Sequence, residues 1–314
     1  MLTVNIHNYD SFELDDNTIV SIRDHMNGFD QSLKNSLLDR LQSQNKKSLP
    51  ITVYTEIIPN DKIRTTYPYF NFKYDLSGHA QLLDSLQGYR VHPELTFSNF
   101  LCSFNGTPHV SRKLLVSILR KFGYFDGDYC SKNFSYTDNA LDGHLVDIVG
   151  ERARFFRKFF VNNDHGFPAQ IYDLSYQRYD HENNILKLEK KLTDSFLHLV
   201  SESIATSYYP NISEKSFYSI VTRGLFLSYA QPNWHAYLEK YYGFKRYTRI
   251  FDYHFDSIQN PVERLLELMS MISKFQTLSP DDWKDLYLLE QDTIEHNYDH
   301  YFSQDYQKYF ANYQ

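Results

Sequence analysis

Cysteine is almost missing from this chain of 314 residues. Only Cys102 and Cys130 occur, which argues against a disulfide framework and fits a reducing, cytoplasmic compartment. No Cys/His grouping has the spacing of a zinc site. No apolar run reaches the roughly 18 residues of a membrane-spanning helix. The opening MLTVNIHNYDSFELDD lacks the basic start and apolar core of a secretory signal. No Gly-x-Gly-x-x-Gly follows the first predicted strand, which disfavours a Rossmann-type oxidoreductase. No internal repeat or low-complexity linker is visible.

What is present is an excess of aromatics, 27 Tyr and 24 Phe. Aromatic surfaces suit sugars and bases, but an A/T-rich genome produces the same excess through its codons. The hydrophobic share of 42% and charged share of 23% describe a soluble globular protein. The net charge of −7 is uneven: residues 281–314 hold eight acidic side chains against two basic ones. Residues 101–280 are slightly basic, with 21 cations against 19 acids. The overall sign disfavours nucleic-acid binding, and the middle keeps local phosphate binding open.

Strand and helix signals alternate, which predicts an α/β fold. LTVNI and ITVYTEI (51–57) read as strands, with a helix around 30–43 between them. Residues 58–93 show no clear period. From about 95 the pattern sharpens. FSNFLCSFNG reads as a buried strand, and TPHVSRKLLVSILRKFG as a helix with Thr107 as N-cap and Gly123 as stop. Leu114, Leu115, Ile118, Leu119 and Phe122 form its predicted buried stripe. A further helix is expected over about 140–160. SFLHLVSES (195–203) reads as a strand, Ser213 as the N-cap of a helix, GLFLSY as a strand, Trp234–Tyr241 as a helix and NPVERLLELMSMISKF as another. The aromatic tail after 281 is expected to pack on the body.

In open parallel sheets, ligands bind where strands end and helices begin. Three such junctions hold suitable side chains. His109 and Arg112 lie three apart at the first helix start, and both can donate to phosphate. Glu202 ends the strand LHLV. Ser213, Glu214 and Lys215 open the next helix, whose free N–H groups suit an anion. Lys215 adds a full charge, and Glu214 can accept two hydrogen bonds from a diol such as ribose. An ordinary exposed helix start with a solvated Glu-Lys pair reads the same way, and the fold is expected to tolerate loss of Glu214.

These stretches resemble the donor-binding half of GT-B-type glycosyltransferases of tailed phages and marine bacteria. That group is distantly similar to exostosin and fucosyltransferase-like enzymes. The likeness spans roughly 98–275. It rests on NFLCSFNGTPHVSRKLLVSIL, on LVSES followed by ISEKSFYSIVTRGLFLSYAQPNWHAYLEKYYGFKRY, and on FDYHFDSIQNPVERLLELMSMI. The Glu-Lys helix is its specific part. Where many relatives carry a glycine-containing loop after the strand GLFLSY, this chain has AQPNWH, with Pro232, Trp234 and His235.

The resemblance implies two Rossmann-like domains facing each other across a cleft. Residues 1–95 would form the acceptor-side domain, 96–280 the nucleotide-sugar domain, and 281–314 a helical tail. It also implies transfer of a sugar from a nucleotide diphosphate to a hydroxyl, with no cofactor required. Glu214 would hold the ribose and Lys215 the diphosphate. Arg112 and His109 would face the phosphates or the sugar, with Glu202 and Ser213 beside them. The phage likeness raises a hydroxymethylated base in DNA as acceptor; a glycan is the alternative. A non-catalytic nucleotide- or glycan-binding module is a further reading.

No catalytic base stands out. Asp10 and His109 are the leading candidates, with His7, Asp15 and Asp16 near the first strand end. Asp126-Gly127-Asp128 matches the metal-holding Asp-x-Asp of a different transferase class, but it follows a helix stop and reads as a turn. Arg152, Arg154, Arg157 and Lys158 alternate with phenylalanines. That pattern suits a nucleic-acid backbone, and equally an amphipathic helix with a Phe face in the core.

Overall fold

The computed structural model describes residues 19–22, 38–43, 51–55, 65–74, 85–86, 95–105, 110–124, 129–132, 181–202, 205 and 212–303. Strands β1 (Ile19–Ile22), β2 (Ile51–Thr55) and β3 (Phe70–Tyr74) pair in that order, all parallel. β2 begins at the expected Ile51. β3 falls in the stretch whose period was unreadable, and LTVNI lies outside the described residues. Residues 38–43 are helical and bury Leu38 and Leu41.

A second parallel sheet holds β4 (Asn99–Asn105), β5 (Tyr129–Lys132), β6 (Ser195–Ser201) and β7 (Leu225–Tyr229), in the order β5-β4-β6-β7. Helix α1 (Val110–Lys121) follows β4, and α2 (His181–Thr193) precedes β6. Helix α3 (Glu214–Val221) joins β6 to β7, and α4 (Trp234–Tyr242) follows β7. A 3-10 turn, Tyr253–Ser257, leads into α5 (Pro261–Gln276), α6 (Pro280–Leu289) and α7 (Gln291–Ser303). Among the described residues no helix is long and apolar enough to cross a membrane.

Local chemistry explains these elements. Every residue of β6 and β7 is buried, as a parallel sheet covered on both faces requires. Gly123 closes α1 at φ +81°, a conformation that side chains with a Cβ avoid. Asn260 caps α5 through Val262 and Glu263 N–H, and Pro261 follows it. Ser279 and Asp282 form a reciprocal capping box on α6. Phe122 departs from the expected stripe and is exposed, because the chain leaves the helix at Lys121. Cys102 faces Tyr129 across β4 and β5, while Cys130 faces Ser103. One register step puts the two thiols on opposite faces, and both are free and buried.

Gly224, just before β7, has a different reason. A Cβ there would stand 2.1 Å from His198 Cε1. The His198 ring lies in the core, bonded through Nε2 to the Leu192 carbonyl at 2.7 Å. Burial pushes its pKa down to about 4, against the pull of that bond, so the ring is neutral and Nε2 carries the proton.

On β7, outermost on its side of the described strands, a side chain takes up a backbone N–H. Ser228 N–H donates to His235 Nε2 at 3.0 Å. That nitrogen therefore accepts, and the proton on Nδ1 bonds Asp256 at 2.8 Å. Asp256 also accepts the His235 and Ala236 N–H groups. It caps α4 from the 3-10 turn, while Asn233 at the N-cap position makes no side-chain cap bond.

Many of the aromatics are core. Trp283 stacks on Phe196 and lies 5.6 Å from Phe100, and Tyr287 lies 5.5 Å from Phe97. Helix α6 thus covers β4 and β6, while α7 lies on α3, where the Tyr301 ring is 5.2 Å from Phe217. Tyr287 donates to the Arg223 carbonyl at 2.8 Å, and Arg223 bonds Glu295 while lying over the Tyr298 ring. From α7, His296 and His300 reach the Gly243 and Tyr242 carbonyls at the end of α4, and Asn297 bonds both Lys245 N–H and its carbonyl.

Candidate functional site

The strand order reverses between β4 and β6. β5 lies on one side of β4, whereas β6 and β7 continue on the other. Chains that leave the carboxyl ends of two such strands diverge to opposite faces, and a crevice opens between them. β4 delivers α1 to this point, and β6 delivers Glu202 and then α3.

Glu202 immediately follows β6 and is fully closed from solvent. Both its oxygens accept the Ser213 N–H, at 3.1 and 3.0 Å, and Oε1 also accepts Ser216 Oγ at 2.8 Å. Its carbonyl accepts Ser111 Oγ from α1 at 3.4 Å. One residue therefore ties the starts of both helices to the end of β6. Burial raises its carboxyl pKa, and the Ser216 hydroxyl, Lys215 and Ser213 oppose that rise.

Ser213 occupies the N-cap position of α3, as its residue type suggests, with φ −96° and ψ 167°. Its side chain makes no cap bond, because the start of the helix is held by the carboxylate of Glu202 instead. Glu214 is 9% exposed. This corrects the expectation of an exposed helix start: the first turn of α3 is packed against β6 and β7.

Glu214 pairs with Lys215. Burial opposes ionisation of Glu214, but Lys215 beside it and the charge of Arg112 outweigh burial and hold the carboxyl at about 2. Lys215 is lowered by burial, against the pull of Glu214 and with the repulsion of Arg112. Arg112, on the first turn of α1, is 2% exposed. The structure thus brings Arg112, Glu202, Ser213, Glu214 and Lys215 into one electrostatic group at the reversal. Two cations meet two carboxylates there, with Arg112 and Lys215 both acting on Glu214.

His109, Asp10, His7, Asp15, Asp16, Asp126, Asp128, Arg152, Arg154, Arg157 and Lys158 lie outside the described residues. Pro232, Trp234 and His235 follow β7; Trp234 and His235 are buried, and His235 is spent on Ser228 and Asp256.

Other residues shape the site without having been singled out from sequence. Ser216, Ser111 and Ser201 are hydroxyl partners of Glu202. Arg264 of α5 is 1% exposed and donates to the carbonyls of Ala230, Gln259, Ile258 and Ala205. It gathers the chain after β6 and after β7. Its signal was readable: it falls on the apolar face of α5 with Leu265, Leu268 and Ile272.

An open depression of about 580 Å³ lies elsewhere, lined by residues that include Arg246, Arg249, Asp252 and Tyr253. Its arginines are already engaged, Arg246 by Glu239 and Arg249 by the Leu289 carbonyl. The neighbouring Tyr247 hydroxyl bonds the Gly224 carbonyl at the amino end of β7, opposite the end where the charged group sits. Comparison of the chain with protein families, with curated proteins and with solved structures gives no match.

Proposed function

We propose that this chain is a GT-B-type glycosyltransferase that moves a sugar from a nucleotide diphosphate to a hydroxyl acceptor. The observation that supports it is the grouping of Arg112, Glu214 and Lys215 at two helix starts flanking the reversal between β4 and β6. Helix starts and cations together suit a diphosphate, and a carboxylate beside them suits a ribose diol. In the transfer step the bond from the sugar to the diphosphate breaks, and negative charge grows on the leaving phosphate. Lys215 and Arg112 are positioned to stabilise that charge. Lys215 pairs with Glu214, so Glu214 also keeps the ammonium in place. The acceptor hydroxyl belongs either to a modified DNA base or to a glycan, and transfer of labelled sugar to each separates the two.

The test is a thermal-shift screen of the full chain against UDP- and GDP-linked sugars. A donor at about 100 times its dissociation constant stabilises by about 2.7 kcal/mol. A rise of several degrees with one donor is expected. No rise across the panel sinks the reading.

A further inference from the structure

β4 ends on Asn105, whose side chain is 1% exposed. The amide nitrogen donates to Ser103 Oγ at 3.1 Å and to the Ser103 carbonyl at 3.4 Å. A carbonyl only accepts, so this bond decides which end of the amide faces Ser103. Ser103 Oγ gives its own proton to the Leu199 carbonyl of β6 at 2.8 Å. A relay from Asn105 through Ser103 to Leu199 thus spans the two strands between which the order reverses.

The relay turns Asn105 Oδ1 the other way. There it is buried and meets no hydrogen-bond donor among the described residues. An orphan acceptor of this kind is costly, and native folds keep few of them. A leucine of similar size would fill the position without that cost. The orphan stands at the carboxyl end of β4, ahead of α1, whose Ser111 bonds the Glu202 carbonyl.

We infer that Asn105 is a substrate-positioning residue whose Oδ1 accepts a hydrogen bond from a hydroxyl of the transferred sugar. This rests on the glycosyltransferase reading above. A neutral carbonyl oxygen repels phosphate and takes an O–H or N–H. In that reading the phosphates go to Arg112 and Lys215 and the ribose to Glu214. The sugar is the remaining part of the donor, and it is rich in hydroxyl groups. Its hydroxyl would satisfy the orphan oxygen when the donor is seated, so correct seating is rewarded by a bond that no described residue supplies.

The experiment measures binding by calorimetry for matched pairs: UDP with UDP-glucose and other UDP-sugars, GDP with GDP-mannose and other GDP-sugars. The chains are wild type, Asn105→Leu and Ser103→Ala. Asn105→Leu is expected to weaken the nucleotide sugar about 10- to 100-fold. Affinity for the bare nucleoside diphosphate is expected to stay within about twofold. Ser103→Ala removes the shorter of the two bonds that hold the amide, and it is expected to weaken only the nucleotide sugar, by a smaller factor. It carries the same test should Asn105→Leu fail to fold. Unchanged affinity for the nucleotide sugar in both variants overturns the inference while leaving the enzyme reading intact. Equal losses for the sugar and the bare diphosphate also overturn it, since they place Oδ1 against the nucleoside. A wild type that binds no pair overturns both readings.

Discussion

Replacing Glu214 with glutamine removes one charge from a buried group of four and leaves its shape. The carboxyl, ordinarily near 4.5, is held at about 2 in the fold. That difference is worth about 3 kcal/mol of stability at neutral pH. The folded value lies below the unfolded one, so the contribution is complete above about 4.5 and is lost as the pH falls through about 2. At pH 3 less than half of it remains. Part of the cost of substitution is recovered, because Lys215 is already lowered by burial and sheds its proton more easily once its partner is gone. Glu214→Gln is therefore expected to destabilise by about 2 kcal/mol at pH 7 and by under 1 kcal/mol at pH 3. Urea unfolding of both chains at the two pH values measures it. Equal destabilisation at both values refutes the electrostatic account, and no destabilisation at pH 7 refutes the burial of the pair.

Two further substitutions test the frame around the site. Gly224→Ala drives a methyl group into the His198 ring and is expected to cost about 3 kcal/mol; the cost should couple by at least about 1 kcal/mol to His198→Ala in a double-variant cycle. His235→Phe leaves the Ser228 N–H unpaired and takes the imidazole bond from Asp256, which keeps its two main-chain donors, and a loss of about 2 kcal/mol in urea is expected; a loss under about 0.5 kcal/mol would show that the β7 edge does not depend on the imidazole.

The sheet around the site was legible because its strands are short apolar runs bounded by strong stops. LFLSY between Gly224 and Ala230, and SFLHLVS before Glu202, admit few other readings. Gly123 and Gly243 end helices where a left-handed residue is needed, and Asn260-Pro261 starts one. The same local grammar grouped Arg112, Glu202, Ser213, Glu214 and Lys215, since each sits just after a strand or at the first turn of a helix. What local grammar does not encode is who pays for a helix end. Ser213 has the residue type of an N-cap, yet the bonds come from Glu202, eleven positions away, and Asn233 yields its role to Asp256. Exposure was misjudged for Glu214 for a related reason: the polar first turn of an eight-residue helix says nothing of the strands it lies on. Ser103 and Asn105 look like ordinary polar residues in a strand, and only the register with β6 shows that they form a relay.

Trp283 and Tyr287 close the aromatic core over β4 and β6, and α7 holds the end of α4. This has a consequence for the chain while it is being made. β4 begins at Asn99 and α6 ends at Leu289, so the first central strand leaves the ribosome roughly 190 residues before its cover does. At about 5–20 residues per second, that interval lasts roughly 10–40 s. During it, Phe97 and Phe100, joined later by Phe196, lack Trp283 and Tyr287 to pack against. The nascent sheet is then a hydrophobic surface awaiting its lid, and the cell's holding chaperones are its natural company until α6 arrives.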